Sequence, residues 1–285
     1  MRKLYNLREY HRPTDLDEAK RLLHRKGVRT VPLAGGSALI GEATSDIEAV
    51  VDLDGLKLDF IEYENGALYL GAMLRLQTIV EKLADISDVL LADAARRTAG
   101  WNVRNMATVG GLLASGDVHS PLSVALAALK ARVKIYEQAG EMPLWADLSK
   151  EIRRQGLKGR LITAISLNLP GGRMGASYQQ VARTPADRPI VCAASVIFES
   201  GADTHATTAV GGLLHDILVF SQKVNRDNPS DASKELVAEV SKARTPESVY
   251  QSDFLGSADY RRSVAPVLAQ RVLLGALDRL NQSLA

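Results

Sequence analysis

Two short segments, each with a Gly-Gly pair that follows apolar residues, constrain the fold of this 285-residue chain more than any other feature. The first runs from Val31 to Ile40 and the second from Arg104 to Ala114. Glycine lets backbone N–H groups approach an anion without an intervening Cβ, and successive N–H groups can form an anion-binding nest. One such turn is common between a strand and a helix. Two of them are better explained by a shared ligand such as a dinucleotide pyrophosphate.

The sequence lacks the other common nucleotide and catalytic motifs. The run Gly36 to Gly41 has the glycine spacing of a Walker A loop, but Glu42 and Ala43 follow it instead of Lys and Ser or Thr. No G-x-G-x-x-G and no G-x-S-x-G occurs. The five histidines show no metal-binding spacing. Acyl transfer and metal-dependent hydrolysis are therefore disfavoured.

Composition limits the class of protein. Hydrophobic residues make up 46% and charged residues 24% of the chain, which is typical of a globular protein. The net charge of +2 does not indicate a nucleic-acid partner. No apolar run has the length of a signal peptide or a membrane span, so we expect a cytoplasmic protein. The single cysteine, Cys192, lies in a buried-strand pattern and cannot hold an iron–sulfur cluster alone.

The N-terminal half reads as alternating helices and strands. Residues 1–55 resemble a βαβ unit. Its predicted helix begins at Pro13 and Thr14, with Asp17 as an acidic variant of the capping box, and ends at Gly27. Strands are predicted for Thr30–Ala34 and Ala49–Leu53. A hairpin is predicted around Asn65 and Gly66, helices for Leu76–Leu83, Val89–Thr98 and Leu122–Leu129, and strands for Val133–Tyr136 and Leu161–Leu169.

The C-terminal part begins after a glycine-rich stretch. Residues 170–175 are predicted to be an exposed linker around Arg173, where a protease would cut first. Beyond it the pattern indicates α+β order. The predicted strands are Ala176–Ala182, Ile190–Phe198 and Thr207–Val210, and the predicted helices are Ala232–Val240 and Tyr260–Leu280.

Five segments together resemble one family, the FAD subunits of molybdenum hydroxylases of the xanthine dehydrogenase and carbon monoxide dehydrogenase type. Residues 33–39 resemble the A-G-G-T-D-L loop of these subunits, and residues 104–111 resemble their R-N-x-A-T-I-G-G turn. Residues 10–19 match their usual start, residues 178–184 resemble the first hairpin of their C-terminal domain, and residues 260–262 resemble the start of their last helix. The five matches occur in the family's order along nearly the whole chain.

The resemblance implies an α+β fold. Residues 1–170 would form a two-lobed FAD-binding domain of the vanillyl-alcohol-oxidase-like (PCMH) type, with lobes 1–55 and 56–170. Residues 175–285 would form a smaller α+β domain of the carbon monoxide dehydrogenase flavoprotein type. FAD would lie extended between the lobes with its pyrophosphate on the two Gly-Gly turns. The implied cofactor-binding residues are Leu33, Ala34, Gly35, Gly36, Ser37, Ala38, Leu39, Thr108, Gly110, Gly111, Leu112, Asp117 and Leu161.

The resemblance also implies partners. Electrons would pass from a large molybdenum-cofactor subunit, through the two [2Fe–2S] clusters of a small subunit, to this flavin and then to an external acceptor. The expected assembly is a dimer of heterotrimers. Since the cofactor carries the chemistry, no catalytic or metal-ligating residue is expected in this chain.

The chain departs from the family pattern at several positions. Ala38 stands where the family has an acidic residue, Leu112 where it has Asn, and Pro121 where it has Asp. Asp117 either replaces the missing carboxylate or is a solvated loop residue. His119 lies either near the flavin or, as we favour, in an exposed loop.

Trp101 either covers a flavin edge or, as we favour, packs partly buried.

Two alternatives follow from these departures. The chain could be a scaffold that has lost its flavin and only organises partner subunits, or a free-standing flavin oxidase with its own substrate. Neither Gly-Gly turn offers a His or Cys for a covalent flavin bond, which speaks against the oxidase. A visible absorption spectrum separates the scaffold from a flavoprotein.

Overall fold

The computed structural model describes residues 7–41, 46–83, 89–136, 144–153, 157, 159–168, 172–184, 187–201, 203–226, 228–243 and 252–282. The fold is mixed α and β. The strands are β1 (Glu9–His11), β2 (Thr30–Leu33), β3 (Ala49–Asp52), β4 (Ile61–Glu64), β5 (Ala67–Gly71), β6 (Arg132–Tyr136), β7 (Leu144–Asp147), β8 (Leu161–Asn168), β9 (Met174–Val181), β10 (Val191–Ser200), β11 (Asp203–Gly211) and β12 (Leu218–Lys223). The helices are α1 (Leu16–Leu23), α2 (Ser37–Gly41), α3 (Leu76–Lys82), α4 (Val89–Thr98), α5 (Trp101–Arg104), α6 (Val109–Ser115), α7 (Pro121–Ala128), α8 (Leu148–Arg153), α9 (Pro229–Lys242) and α10 (Ala258–Gln282), with a 3-10 turn at Leu53–Leu56.

The chain divides into two compact units. Unit 1 comprises residues 1–78, 101–116 and 132–167, and unit 2 comprises residues 79–100, 117–131 and 168–285. Helices α4 and α7 thus belong to unit 2, although their sequence lies within the predicted FAD-binding domain. The domain boundary near residue 170 remains a prediction.

Unit 1 contains a three-stranded parallel sheet in the order β1-β3-β2. Helix α1 presents Leu16, Leu22 and Leu23 to a small core formed by residues such as Ala19 and Val51, because these apolar positions recur at helical spacing. The predicted helix start was wrong by one to two residues. The cap is Asp15, whose carboxylate accepts a hydrogen bond from the backbone N–H of Glu18 at 2.8 Å.

Unit 1 also contains a five-stranded sheet in the order β4-β5-β8-β6-β7. The hairpin between β4 and β5 turns at Asn65 and Gly66, both with positive φ, which confirms the predicted turn. Strand β8 and the segment after β5 are joined by a hydrogen bond from the N–H of Ala72 to the carbonyl of Thr163 at 3.0 Å. This contact fixes the segment that supports the second Gly-Gly pair.

Unit 2 is built on a four-stranded antiparallel sheet in the order β12-β11-β10-β9. Residues 191–197 of β10 are buried without interruption because side chains on both faces of the strand are covered. Val191, Ala193 and Ile197 pack in the same core as α10. Cys192, on the opposite face, donates to the carbonyl of His119 at 3.5 Å. The burial predicted for Cys192 is confirmed.

The predicted linker is only partly one. Residues 169–171 lie outside the described residues, whereas Met174 and Gly175 belong to β9. An ideal Cβ on Gly175 would stand 2.1 Å from the carbonyl oxygen of Ala276 in α10, so this glycine packs tightly. Arg173 is not an exposed loop residue. Its guanidinium is partly buried and donates to Glu199 and to the carbonyl of Leu280.

The sequence analysis did not predict three short strands, β1, β7 and β12. Each lies at the edge of its sheet and is half exposed, so it lacks the apolar run of a central strand. Helices α9 and α10 occur as predicted and extend beyond the predicted bounds. In the part of the chain that the structure describes, no helix combines the length and apolarity that spanning a bilayer requires.

Candidate functional site

Unit 1 contains a cleft of about 310 Å³, which is at the lower end of the range for small-molecule sites. It is lined by Val31, Pro32 and Leu33 of β2, and it continues onto the loop before α2 and the start of α6. All of its lining residues belong to unit 1. Ten of the thirteen predicted cofactor-binding residues line it: Leu33, Ala34, Gly35, Gly36, Ser37, Ala38, Leu39, Thr108, Gly110 and Gly111. The structure therefore brings the two Gly-Gly segments to one cleft.

The first Gly-Gly segment offers hydrogen-bond donors to this cleft. Gly36 has φ +71°, a left-handed conformation that favours glycine, and it turns the chain from β2 into α2. Within the described residues, the backbone N–H groups of Gly36, Ser37 and Ala38 make no hydrogen bond. The first N–H groups of any helix lack an internal partner. Three donors are thus available to an anion at this turn.

Gly35 has a different role, which is steric. An ideal Cβ on Gly35 would stand 1.7 Å from the carbonyl oxygen of Met106 and 3.1 Å from the Cα of Ala107. The first Gly-Gly segment therefore lies with its backbone directly against the chain that precedes α6. Glycine at this position is required by contact between two backbone segments.

The second Gly-Gly pair is not a free turn, which corrects the prediction. It forms the first turn of α6, with Thr108 as the N-cap. The N–H of Gly110 donates to the carbonyl of Ala72 at 2.8 Å, and the N–H of Gly111 donates to the hydroxyl of Thr108 at 3.2 Å. The N–H groups of Val109 and Leu112 donate to the carbonyls of Leu74 and Thr108. These donors already have partners, so the second pair does not form an anion-binding nest.

The two glycines of α6 instead allow close packing, because neither carries a Cβ. A Cβ on Gly110 would stand 2.7 Å from the Cβ of Ala72, so Gly110 permits α6 to pack against residue 72. A Cβ on Gly111 would stand 3.0 Å from the Thr108 hydroxyl oxygen and 3.6 Å from the Cβ of Ala34. Since Ala34 and Gly111 both line the cleft, a side chain at position 111 would fill space between the two glycine segments.

Two arginines line the cleft, and the sequence analysis missed both. Arg29 precedes β2, is about half exposed and pairs with Asp46. Arg160 precedes β8, is 31% exposed and donates to the carboxylate of Glu151 at 2.9 Å. The available signal was a basic residue directly before each of two strands, which is too common to single out a site.

Three predicted residues do not line the cleft. Leu112 lies half-buried on α6. Leu161 packs in the core of unit 1 with Val51, because side chains alternate along a strand and the residues on either side, 160 and 162, line the cleft. Asp117 belongs to unit 2, where its carboxylate accepts from Arg188 at 2.5 Å and from the N–H of His119 at 3.0 Å. It is an ion-paired side chain.

His119 is not the exposed loop residue that we expected. Its side chain is fully buried in unit 2, and its Nδ1 lies 2.9 Å from the carbonyl oxygen of Pro189. A carbonyl only accepts, so Nδ1 carries the proton of a neutral imidazole. Burial, followed by the nearby Arg188 guanidinium, lowers the pKa of His119. Burial raises the pKa of the Cys192 thiol to about 12, which excludes a reactive thiolate.

Trp101 also differs from the expectation. We predicted partial burial, whereas its side chain is 64% exposed on α5.

The sequence is similar to a protein family and to several proteins of known name. A family model described as the FAD binding domain in molybdopterin dehydrogenase matches residues 5–169. The glyceraldehyde dehydrogenase medium chain of Sulfolobus acidocaldarius is 28% identical over 274 residues, which cover 92% of this chain and 95% of that one. The carbon monoxide dehydrogenase medium chain of Afipia carboxidovorans is 26% identical, and the aligned region covers 95% of this chain and 97% of that one.

Solved structures show the same fold. A chain of carbon monoxide dehydrogenase from Hydrogenophaga pseudoflava superposes with a TM-score of 0.81 at 22% identity, covering 96% of this chain and 98% of that one. The family model spans both Gly-Gly segments and more than half of the sequence. The chain therefore belongs to the family of FAD-binding domains of molybdopterin dehydrogenases, and its cofactor is FAD.

Proposed function

We propose that this chain is the electron-exit subunit of a molybdenum hydroxylase complex and that it holds FAD in the cleft of unit 1. The observation that carries the proposal is the set of unpartnered N–H groups at Gly36, Ser37 and Ala38, next to a cleft wall where Gly111 leaves room. N–H groups that point to a phosphate form charge-assisted hydrogen bonds. The first Gly-Gly turn would thus hold the pyrophosphate.

The residues of the cleft fit this cofactor. FAD, when bound, supplies reversible electron uptake, and the protein supplies binding and orientation. Apolar side chains such as Ile47, Leu53, Met73 and Ile162 line the cleft beside the glycine segments. Such a lining suits the apolar parts of a dinucleotide, while the donors of the first turn suit its charged part. Leu112, Asp117 and Leu161 remain predicted contacts that the cleft does not include.

The partners are inferred from relatives. The relatives from Sulfolobus acidocaldarius and Afipia carboxidovorans are named as medium chains of dehydrogenases, and this chain covers nearly all of their length. We infer a large molybdenum-cofactor subunit and a small [2Fe–2S] subunit, assembled as a dimer of heterotrimers in the cytoplasm. The chain itself would have the two-lobed PCMH-type arrangement for residues 1–170 and a further domain for residues 175–285.

A single purification tests this function. When the chain is tagged and purified from its native host, we expect the visible bands of oxidised flavin and two co-purifying subunits, one of them rich in cysteine. A three-subunit complex without flavin would instead support a scaffold. A monomer that shows the flavin bands and oxidises an organic substrate by itself would support a free-standing oxidase.

A further inference from the structure

Arg160, which lines the cleft, forms an ion pair with Glu151. The proposed binding of FAD by the backbone donors of the first turn gives this pair no role. Arg160 lines the cleft and its side chain is 31% exposed. Glu151 lies on α8 with only 10% of its side chain exposed, and it accepts from the Arg160 guanidinium at 2.9 Å. A buried carboxylate requires such a partner, so Glu151 fixes the guanidinium in one place.

A series of backbone hydrogen bonds connects the segment of Arg160 to the second Gly-Gly segment. The turn before β8 closes with a hydrogen bond from the N–H of Arg160 to the carbonyl of Leu157 at 3.2 Å. In β8, the carbonyl of Thr163 accepts from the N–H of Ala72 at 3.0 Å. The carbonyl of Ala72 in turn accepts from the N–H of Gly110 at 2.8 Å. Arg160 and α6 are therefore held on one connected backbone framework within unit 1.

The charges that line the cleft are positive. Among the described lining residues, Arg29 and Arg160 are the charged ones, and no carboxylate lines the cleft. Arg29 is 55% exposed and its partner Asp46 is 56% exposed, so water screens this pair. Arg160 is more buried and its partner is nearly covered, so its interactions are screened less. A guanidinium can also bind a phosphate through two parallel hydrogen bonds.

We propose that Arg160, positioned by Glu151, binds the diphosphate of FAD together with the unpartnered N–H groups of the first turn. This inference rests on the proposed function. Glu151 acts as a positioning residue, because it contacts the guanidinium and not the cleft. Affinity for FAD in this chain would thus depend on one side-chain cation in addition to backbone donors.

The test is a titration of FAD into apo-protein at low and high NaCl, in which binding is monitored by flavin fluorescence. Arg160→Met removes the guanidinium that pairs with the buried Glu151 carboxylate, so the double variant Arg160→Met/Glu151→Gln is measured beside it. We expect both variants to bind FAD about tenfold to a hundredfold more weakly than the wild type, the effect of one charge-assisted hydrogen bond. Arg160→Lys should recover part of the affinity. The matched control is Arg132→Met, which removes an exposed arginine of β6 outside the cleft.

Salt dependence separates binding from a structural role. If Arg160 contacts the diphosphate, high NaCl should weaken FAD binding by the wild type more than binding by Arg160→Met/Glu151→Gln. Wild-type affinity in the double variant would overturn the inference. So would weaker binding with an unchanged salt dependence, which would indicate a purely structural effect. A wild-type protein that binds no FAD would instead contradict the proposed function.

Discussion

Replacing Gly35 with alanine is expected to destabilise the protein by about 3 kcal/mol or more, because the new Cβ has no space. It would stand 1.7 Å from the carbonyl oxygen of Met106 and 2.5 Å from its carbonyl carbon, and both are backbone atoms. A flexible side chain could rotate away from such an overlap, but a backbone segment cannot. The first Gly-Gly segment would have to separate from the chain that leads into α6.

The measurement is the free energy of unfolding in urea, in the absence of FAD. The matched control is Gly100→Ala, because a Cβ at position 100 meets nothing within 4 Å. We expect the control to unfold within about 0.5 kcal/mol of the wild type. If Gly35→Ala is equally stable, the close backbone contact does not exist. The result also matters for interpretation, since a colourless Gly35 variant would report lost structure and not a lost cofactor contact.

Arg261→Met is expected to cost unit 2 about 3–5 kcal/mol, as for a broken buried ion pair. The side chain of Arg261 is fully buried at the start of α10. Its guanidinium donates to the carbonyls of Ile190 and Gly212, the latter at 2.7 Å, and pairs with Asp253 at 2.6 Å. Methionine has similar length but no donor, so the two carbonyls and the Asp253 carboxylate would lose the guanidinium in a low-dielectric environment.

The neighbouring arginine provides the control for this variant. Arg262 is 49% exposed and lies 3.8 Å from Asp259, which is 95% exposed. Such a solvated pair contributes little, so Arg262→Met should change the unfolding free energy by less than about 0.5 kcal/mol. The measurement is the free energy of unfolding in urea for both variants and the wild type. A loss of under 1 kcal/mol for Arg261→Met would mean that its hydrogen bonds do not support the loops around residues 190 and 212.

Local sequence patterns predicted the elements whose signal is itself local. The apolar spacing of α1, the Asn65-Gly66 turn and the unbroken apolar run of β10 each specify a structure within a few residues. Edge strands such as β1 and β12 were missed, because their half-exposed residues have no such pattern.

The sequence predicted that the two Gly-Gly segments lie together, but it did not predict the packing role of each glycine. The two Gly-Gly segments do line one cleft, as the sequence indicated. The roles of Gly35 and Gly110 depend on Met106 and Ala72, which lie 71 and 38 residues away in the chain, and no local pattern reveals such a contact. His119 was misjudged for the same reason, since its buried partner Pro189 is 70 residues distant. Exposure of a loop residue is a tertiary property.

Titration of FAD into the Gly111→Ala apo-protein tests the central claim, that the cofactor occupies the cleft between the two glycine segments. Gly111 lies in the first turn of α6, and a methyl group there requires only that the Thr108 hydroxyl shift by a few tenths of an ångström. Alanine is the better helix former by roughly 1 kcal/mol, so the variant should be as stable as the wild type. The methyl group would nevertheless occupy the cleft wall next to Ala34. Because the methyl group would push the diphosphate away from a donor of the first turn, we predict FAD binding at least about tenfold weaker than in the wild type, and unchanged binding by Gly100→Ala. Wild-type affinity in a correctly folded Gly111→Ala protein would contradict the assignment of this cleft to FAD.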